Sequence, residues 1–172
     1  MNKPILNEHN KEDHPPAHTA EHILNGTMVK MFGCGRSYNA HVECKKSKCD
    51  YRLEKEPTPE EIALIEKRVN EVIASNLDVT ESFLTQEEAA SIVDLSKLPD
   101  DASEMLRIVR VGDYDACACI GAHVANTSEI GTFKIISSDF EDGRWRLRWR
   151  IVKEWFVVGS IECVVAEGCR VG

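Results

Sequence analysis

The stretch from Arg144 to Ile151 most limits what this chain can fold into. Arg144, Arg146, Arg148 and Arg150 occupy one parity, and Trp145, Leu147, Trp149 and Ile151 the other. Side chains along a strand alternate between faces, so the run predicts a strand that buries a tryptophan-rich face and presents a row of four guanidinium groups. Glu141-Asp142-Gly143, just before it, is a hairpin turn signal, and Gly131 to Asp139, with Phe133, Ile135 and Ile136, reads as the preceding strand.

Other segments fill in around this strand. Pro15 and Pro16 suit a helix start. Ala20, Ile23, Leu24, Met28 and Met31 then recur at helical spacing until Gly33 and Gly35. Ser37, Asn39, His41 and Glu43 alternate with Tyr38, Ala40, Val42 and Cys44, as in a strand with one polar face. Lys45, Lys46 and Lys48 form a basic turn before a returning strand over 49–53. Thr58-Pro59-Glu60-Glu61 opens a helix with a capping box, and Ile62, Ile65, Val69, Val72 and Ile73 carry it to about Ser75. Leu77 to Phe83 reads as a strand, and Thr85-Gln86-Glu87-Glu88 as a second capping box on a short helix. Glu104 to Val111 and Val111 to Cys119 are further strand candidates, while residues 154–166 fit strand or helix equally. The expectation is an α+β fold, a mainly antiparallel sheet with helices packed on one face as a two-layer sandwich. Residues 1–14 read as a flexible N-terminal arm and 15–172 as a single domain.

With 172 residues, 42% hydrophobic and 29% charged, the chain can build one core. No apolar run reaches the eighteen residues of a membrane span, and the first residues lack a signal-peptide core, so a cytoplasmic setting without membrane contact is expected. Seven cysteines then point to reduced thiols rather than a disulfide framework. A net charge of −8 argues against broad, nonspecific nucleic-acid binding but leaves room for a local basic patch.

His18 and His22 lie four apart on the first helix, one turn apart on one face. Cys119 and His123 repeat that spacing across a turn containing Gly121. Together they supply four zinc-type ligands, with Cys117 a possible competitor for Cys119. His18-Thr19-Ala20-Glu21-His22 is also formally H-x-x-E-H, which would make Glu21 the base of a zinc metallopeptidase. Such peptidases are larger and use a further carboxylate ligand. Arg144, Arg146, Arg148 and Arg150, with Lys45, Lys46 and Lys48, could hold successive phosphates, or could form a solvated face paired with carboxylates. Ser37, Asn39 and His41 could hydrogen-bond a small polar ligand if their face turns inward, and His41 would then be the candidate general base.

His18-Thr19-Ala20-Glu21-His22-Ile23-Leu24 and the run from Cys119 through Ile135 resemble the editing domain of alanyl-tRNA synthetase, which also occurs in threonyl-tRNA synthetase and in free-standing AlaX-type proteins. The run from Ile65 to Val79 is similar to that family's linking helix and following strand. The likeness thus extends from about Ala17 to Ile151. It implies a free-standing deacylase that cuts the ester of mischarged tRNA, serine or glycine on alanine tRNA, with Zn2+ held by His18, His22, Cys119 and His123 and the tRNA acceptor end as partner. The family's Cys-Gly-Gly-Thr-His stands here as Cys-Ile-Gly-Ala-His, and Gly35 to His41 replaces its usual glutamine and glycine-serine elements. A noncatalytic tRNA-binding or regulatory module with a structural zinc is the alternative.

Overall fold

A computed structural model describes residues 14–96, 98–155 and 164–166. Helix α1 spans Pro15–Phe32. It starts where the two prolines cost no hydrogen bond, with His14 Nδ1 accepting from the Ala17 N–H at 3.2 Å. It ends at Gly33, whose φ of 62° is the left-handed cap that glycine adopts without strain. His14 therefore belongs to the helix cap, while the rest of the expected arm lies outside the described residues.

Strands β1 (Asn39–His41) and β2 (Ser47–Arg52) follow, then α2 (Pro59–Ala74), opened by the Thr58/Glu61 capping box. Next come β3 (Val79–Thr85), α3 (Gln86–Ala90) with the Thr85/Glu88 box, β4 (Met105–Val111) and β5 (Asp115–Ala118). A 3-10 turn at Thr127–Glu129 leads into β6 (Thr132–Glu141), β7 (Arg144–Trp155) and β8 (Val164–Ala166). The ambiguous tail from 154 resolves, where described, into the end of β7 and its antiparallel partner β8.

The fold is α+β, and every strand pairing among the described residues is antiparallel. The strands divide between two sheets, a grouping that strand signals alone leave open. One has the order β1-β2-β7-β6, with β8 also on β7; the other is β3-β4-β5. The β6–β7 hairpin turns at Asp142 and Gly143, whose φ values of 47° and 77° match the primed turns that suit strand twist.

Trp145, Leu147 and Trp149 are fully buried and pack with Ala20, Ile23 and Leu24 of α1 and Ile65 and Val69 of α2. Thus α1 and α2 cover the tryptophan face of the larger sheet, and α1 also meets β4 and β5 of the smaller one. The smaller sheet adds a core of its own, where Leu106 and Ile108 pack with Ala89 and Val93. β4 serves both cores, because Val111 at its far end joins the main one. A bulge between Ile135 and Ser137 turns Ile136 outward, 48% exposed.

Cys34, Cys49, Cys117 and Cys119 are free thiols. Cys44 is disulfide-bonded, which corrects the expectation of reduced thiols at that position. Bonding depends on which cysteines tertiary folding brings together, and spacing along the chain does not report that.

Candidate metal centre

α1 fixes two imidazoles. His22 is buried and His18 half-buried, and their ring centroids lie 5.1 Å apart at 82°. The loop after β5 brings the other pair. His123 stacks on His18 with centroids 4.1 Å apart at 25° and meets His22 edge-on at 4.4 Å. Cys119 Sγ lies 3.4 Å from His18 Nε2 and 3.5 Å from His123 Nε2. The donor atoms of His18, His22, Cys119 and His123 all fall within 4.8 Å of one another. Cys117 is not in that group.

The donor types of this set, imidazole nitrogen and thiol sulfur, fit zinc. Zinc–nitrogen and zinc–sulfur bonds of about 2.0–2.3 Å place tetrahedral ligands roughly 3.3–3.8 Å apart, which brackets the two sulfur–nitrogen separations. The outer hydrogen bonds agree. His18 Nδ1 lies 3.1 Å from the Ala122 carbonyl. A carbonyl only accepts, so Nδ1 carries the proton and Nε2 keeps its lone pair. His123 Nδ1 lies 2.9 Å from Thr19 Oγ1, which also accepts from the Val124 N–H. The loss of a threonine hydroxyl at Ala122 therefore leaves the His18 anchor intact, since any residue supplies that carbonyl. Burial is the main cause holding the His22 imidazole well below its ordinary value, with the His123, Arg36, His18 and Arg107 charges adding to it, so it is a neutral donor at pH 7. Burial pushes the Cys119 thiol up to about 12, so a metal would bind there with loss of a proton.

Three residues that spacing did not single out lie around the group. Arg107, on β4, donates Nη1 to the Cys119 carbonyl at 3.2 Å and the Gly121 carbonyl at 2.6 Å, while its Nε reaches Glu81 Oε2 on β3 at 2.5 Å. It clamps the loop between the two ligands. Arg36 holds Asp115 of β5 through two hydrogen bonds, at 2.6 and 3.1 Å. Arg107 was visible only as one of two arginines, with Arg110, among the apolar residues of β4; nothing local marked Asp115 or Arg36.

Asn39 and His41 lie on β1, and Ser37 just before it. Ser37 donates its N–H to Asn25 Oδ1 and its hydroxyl to the Asn39 carbonyl. Asn39 donates to Asp50 Oδ2 at 3.0 Å. His41 has a side chain 64% exposed, 3.3 Å from Glu43 Oε2. Buried beside α1, Asn25 also accepts from the Tyr51 hydroxyl at 2.8 Å.

The arginine row lines the outer face of the larger sheet. Arg146 grips Asp50 with two bonds, 2.7 and 2.8 Å. Arg148 donates to Asp139 at 2.7 Å, and Arg144 to Asp139 and Glu141 at 3.0 and 3.4 Å. Hydrogen bonding from Arg146 holds the Asp50 carboxyl below its usual range, and Arg148 does the same for Asp139. Lys48 sits opposite Arg148 in register, and Lys45 and Lys46 are exposed in the preceding turn.

Fold and site together define a small α+β domain with a His/His/Cys/His donor group held between a helix and a loop from the second sheet. Residues 106–148 match the family described as the threonyl and alanyl tRNA synthetase second additional domain. The matched residues thus form part of a synthetase editing-type domain. It is similar to alanine–tRNA ligases: 39% identical over 137 residues in Staphylothermus marinus, covering 77% of this chain and 15% of the ligase. The figures are 35% over 121 residues in Fervidobacterium nodosum, 70% of this chain and 14% of the ligase. In Staphylococcus epidermidis they are 34% over 132 residues, 74% and 15%. The chain thus spans only 14–15% of the length of these curated relatives.

Proposed function

We propose that this chain is a cytoplasmic aminoacyl-tRNA deacylase that hydrolyses the ester of mischarged tRNA, serine or glycine on alanine tRNA, beside a zinc held by His18, His22, Cys119 and His123. The observation that carries the reading is the convergence of four donors from two segments a hundred residues apart, within an editing-type domain. Bound there, zinc would supply Lewis acidity and a fixed positive charge beside the ester.

The chain's own residues do the rest. α1 is a rigid platform for two of the donors, and the Arg107 clamp keeps the loop carrying the other two from drifting. Selectivity needs a polar group that a serine hydroxyl satisfies and an alanine side chain leaves unpaired; Ser37 and Asn39 are assigned that role. His41, beside Glu43, is the candidate base, and a His41→Ala variant with full activity removes it from the reading.

The acceptor end is assigned to the outer sheet face and the lysine turn. The four arginines of β7 are joined in register by Arg52, Lys48 and Lys134, against Asp50, Asp139 and Glu141. The face is locally cationic although the chain carries −8, which supports phosphate contact after its internal pairs are made.

The test is a deacylation panel of Ser-, Gly- and Thr-charged tRNAs with zinc content measured on the same sample. Release of serine or glycine from alanine tRNA, lost in His22→Ala, is expected. A zinc-loaded sample that leaves all three esters intact overturns it. Four protein ligands are also the count of structural zinc sites. That favours, as second reading, a noncatalytic tRNA-binding module, whose sign would be salt-sensitive acceptor-stem binding without turnover. A metallopeptidase would need Glu21, and a Glu21→Gln variant with full esterase activity excludes it.

A further inference from the structure

We infer that Asp115 and Arg36 are positioning residues for His22, forming a chain that runs from the segment after α1, through β5, back to α1; the inference rests on the zinc reading above. His22 is 4% exposed, and its Nδ1 is buried without a hydrogen bond. That nitrogen lies 3.8 Å from Asp115 Oδ2, and the Asp115 side chain is itself 5% exposed. Arg36 takes both carboxylate oxygens, Nη1 to Oδ1 at 2.6 Å and Nη2 to Oδ2 at 3.1 Å. A two-point grip fixes the plane of the carboxylate as well as its place.

α1 is shaped for this carboxylate. Gly26 lies one turn beyond His22, and a Cβ there would sit 3.1 Å from Asp115 Oδ1 and 3.3 Å from its Cβ. The helix thus offers a gap at one turn and an imidazole at the next to the same group. With Nδ1 turned toward Asp115, Nε2 is the nitrogen of His22 left for the donor group. A ligating imidazole that gives its second N–H to a carboxylate is held in one tautomer and orientation and becomes a stronger donor.

The three histidines then differ in a defined way. His18 and His123 lean on neutral oxygens, the Ala122 carbonyl and the Thr19 hydroxyl. His22 faces an anion, Asp115, whose charge is shared with Arg36. At 3.8 Å the pair stands just outside hydrogen-bond range, so a closure of under about 1 Å completes the bond.

The experiment measures zinc affinity of the full chain by competition with a chromophoric chelator, alongside the melting temperature of the chelated, metal-free protein. Asp115→Ala is expected to weaken zinc binding about 10- to 100-fold. Asp115→Asn, isosteric and still an acceptor through one oxygen, should lose less zinc affinity than Asp115→Ala, and its metal-free melting temperature separates the lost Arg36 bond from the effect on zinc. Arg36→Met should fall between parent and Asp115→Ala. Affinities of the Asp115 variants within about twofold of the parent, or losses that only track the metal-free melting temperature, overturn the inference. A parent chain that takes up no zinc overturns both this and the zinc reading. A parent that binds zinc and cleaves no ester, while Asp115→Ala weakens binding, sinks the deacylase reading and supports this one.

Discussion

The donor group at α1 and the arginine row on β7 are both dense clusters of polar side chains, and they are built on opposite plans. The row is local. Its four arginines come from one strand, and the carboxylates that meet Arg144, Arg146 and Arg148 come from β2 and β6. Cation meets anion, and most of the attraction is spent within the sheet. The donor group is long-range. It joins residues 101 apart in the chain, and it gathers lone pairs rather than opposite charges, with stacked rings and no carboxylate among the four. A cluster whose members complement one another is already complete as structure. A cluster of like donors aimed at one point is organised around a guest.

That contrast can be broken or sharpened by experiment. His22→Ala should have the largest effect, with zinc affinity falling by more than about 100-fold, beyond the usual loss for an outer partner. A chelator titration that still finds one tightly held zinc per chain would break the contrast. Arg107→Met should weaken zinc affinity about 10- to 100-fold, because the carbonyls of Cys119 and Gly121 lose their clamp. The metal-free melting temperature separates that effect from general loosening of β3 and β4.

The arginine face should respond to salt instead of to chelator. Replacing Arg146 and Arg148 by glutamine should lower the slope of log affinity against log salt for an acceptor-stem RNA by about two, one for each phosphate no longer neutralised. An unchanged slope assigns those arginines to their carboxylates alone and makes the two clusters differ still more.

The smallest effect is on acid stability. Arg146 depresses the folded Asp50 carboxyl, so the pair stabilises the fold above the unfolded carboxylate value of about 3.9. That stability drains away as pH falls through the still lower folded value. Asp50→Asn should therefore be less stable than the parent at pH 7, with the gap narrowing below about pH 4. Urea melts at the two pH values measure it, and a gap that widens on acidification contradicts the sign.

The sequence revealed these regions unequally. β7 was legible because one strand carries both its buried and its exposed face in strict alternation. Thr58/Glu61 and Thr85/Glu88 announced α2 and α3 because a capping box lies wholly within four residues. The ligand pairs were legible for the same reason, each being one turn or one loop wide. Their joint use as one four-ligand site was expected from residue chemistry and the family resemblance, and the fold brings them together; the division of strands into two sheets was not legible, since it depends on how α1 lies between β7 and β5. Asp115 and Arg107 read as ordinary strand charges until the fold set them against His22 and the Cys119 loop. Ile136 read as one more strand residue, because a bulge leaves no mark in hydrophobic pattern.

The placement of α1 at the start of the chain has a consequence for how the protein is made. At about 5–20 residues per second, the helix waits roughly 5–20 s on the ribosome before Cys119, 101 residues beyond His18, is added. Its apolar stripe of Ala20, Ile23, Leu24 and Met28 has α2 for company well before Trp145 and Trp149 arrive. Cys119 and His123 are not yet made in that interval, and two nitrogen donors on a helix turn rank copper above zinc. On the zinc reading, the choice of metal is settled late in synthesis, when the Cys119–His123 loop folds back across the helix.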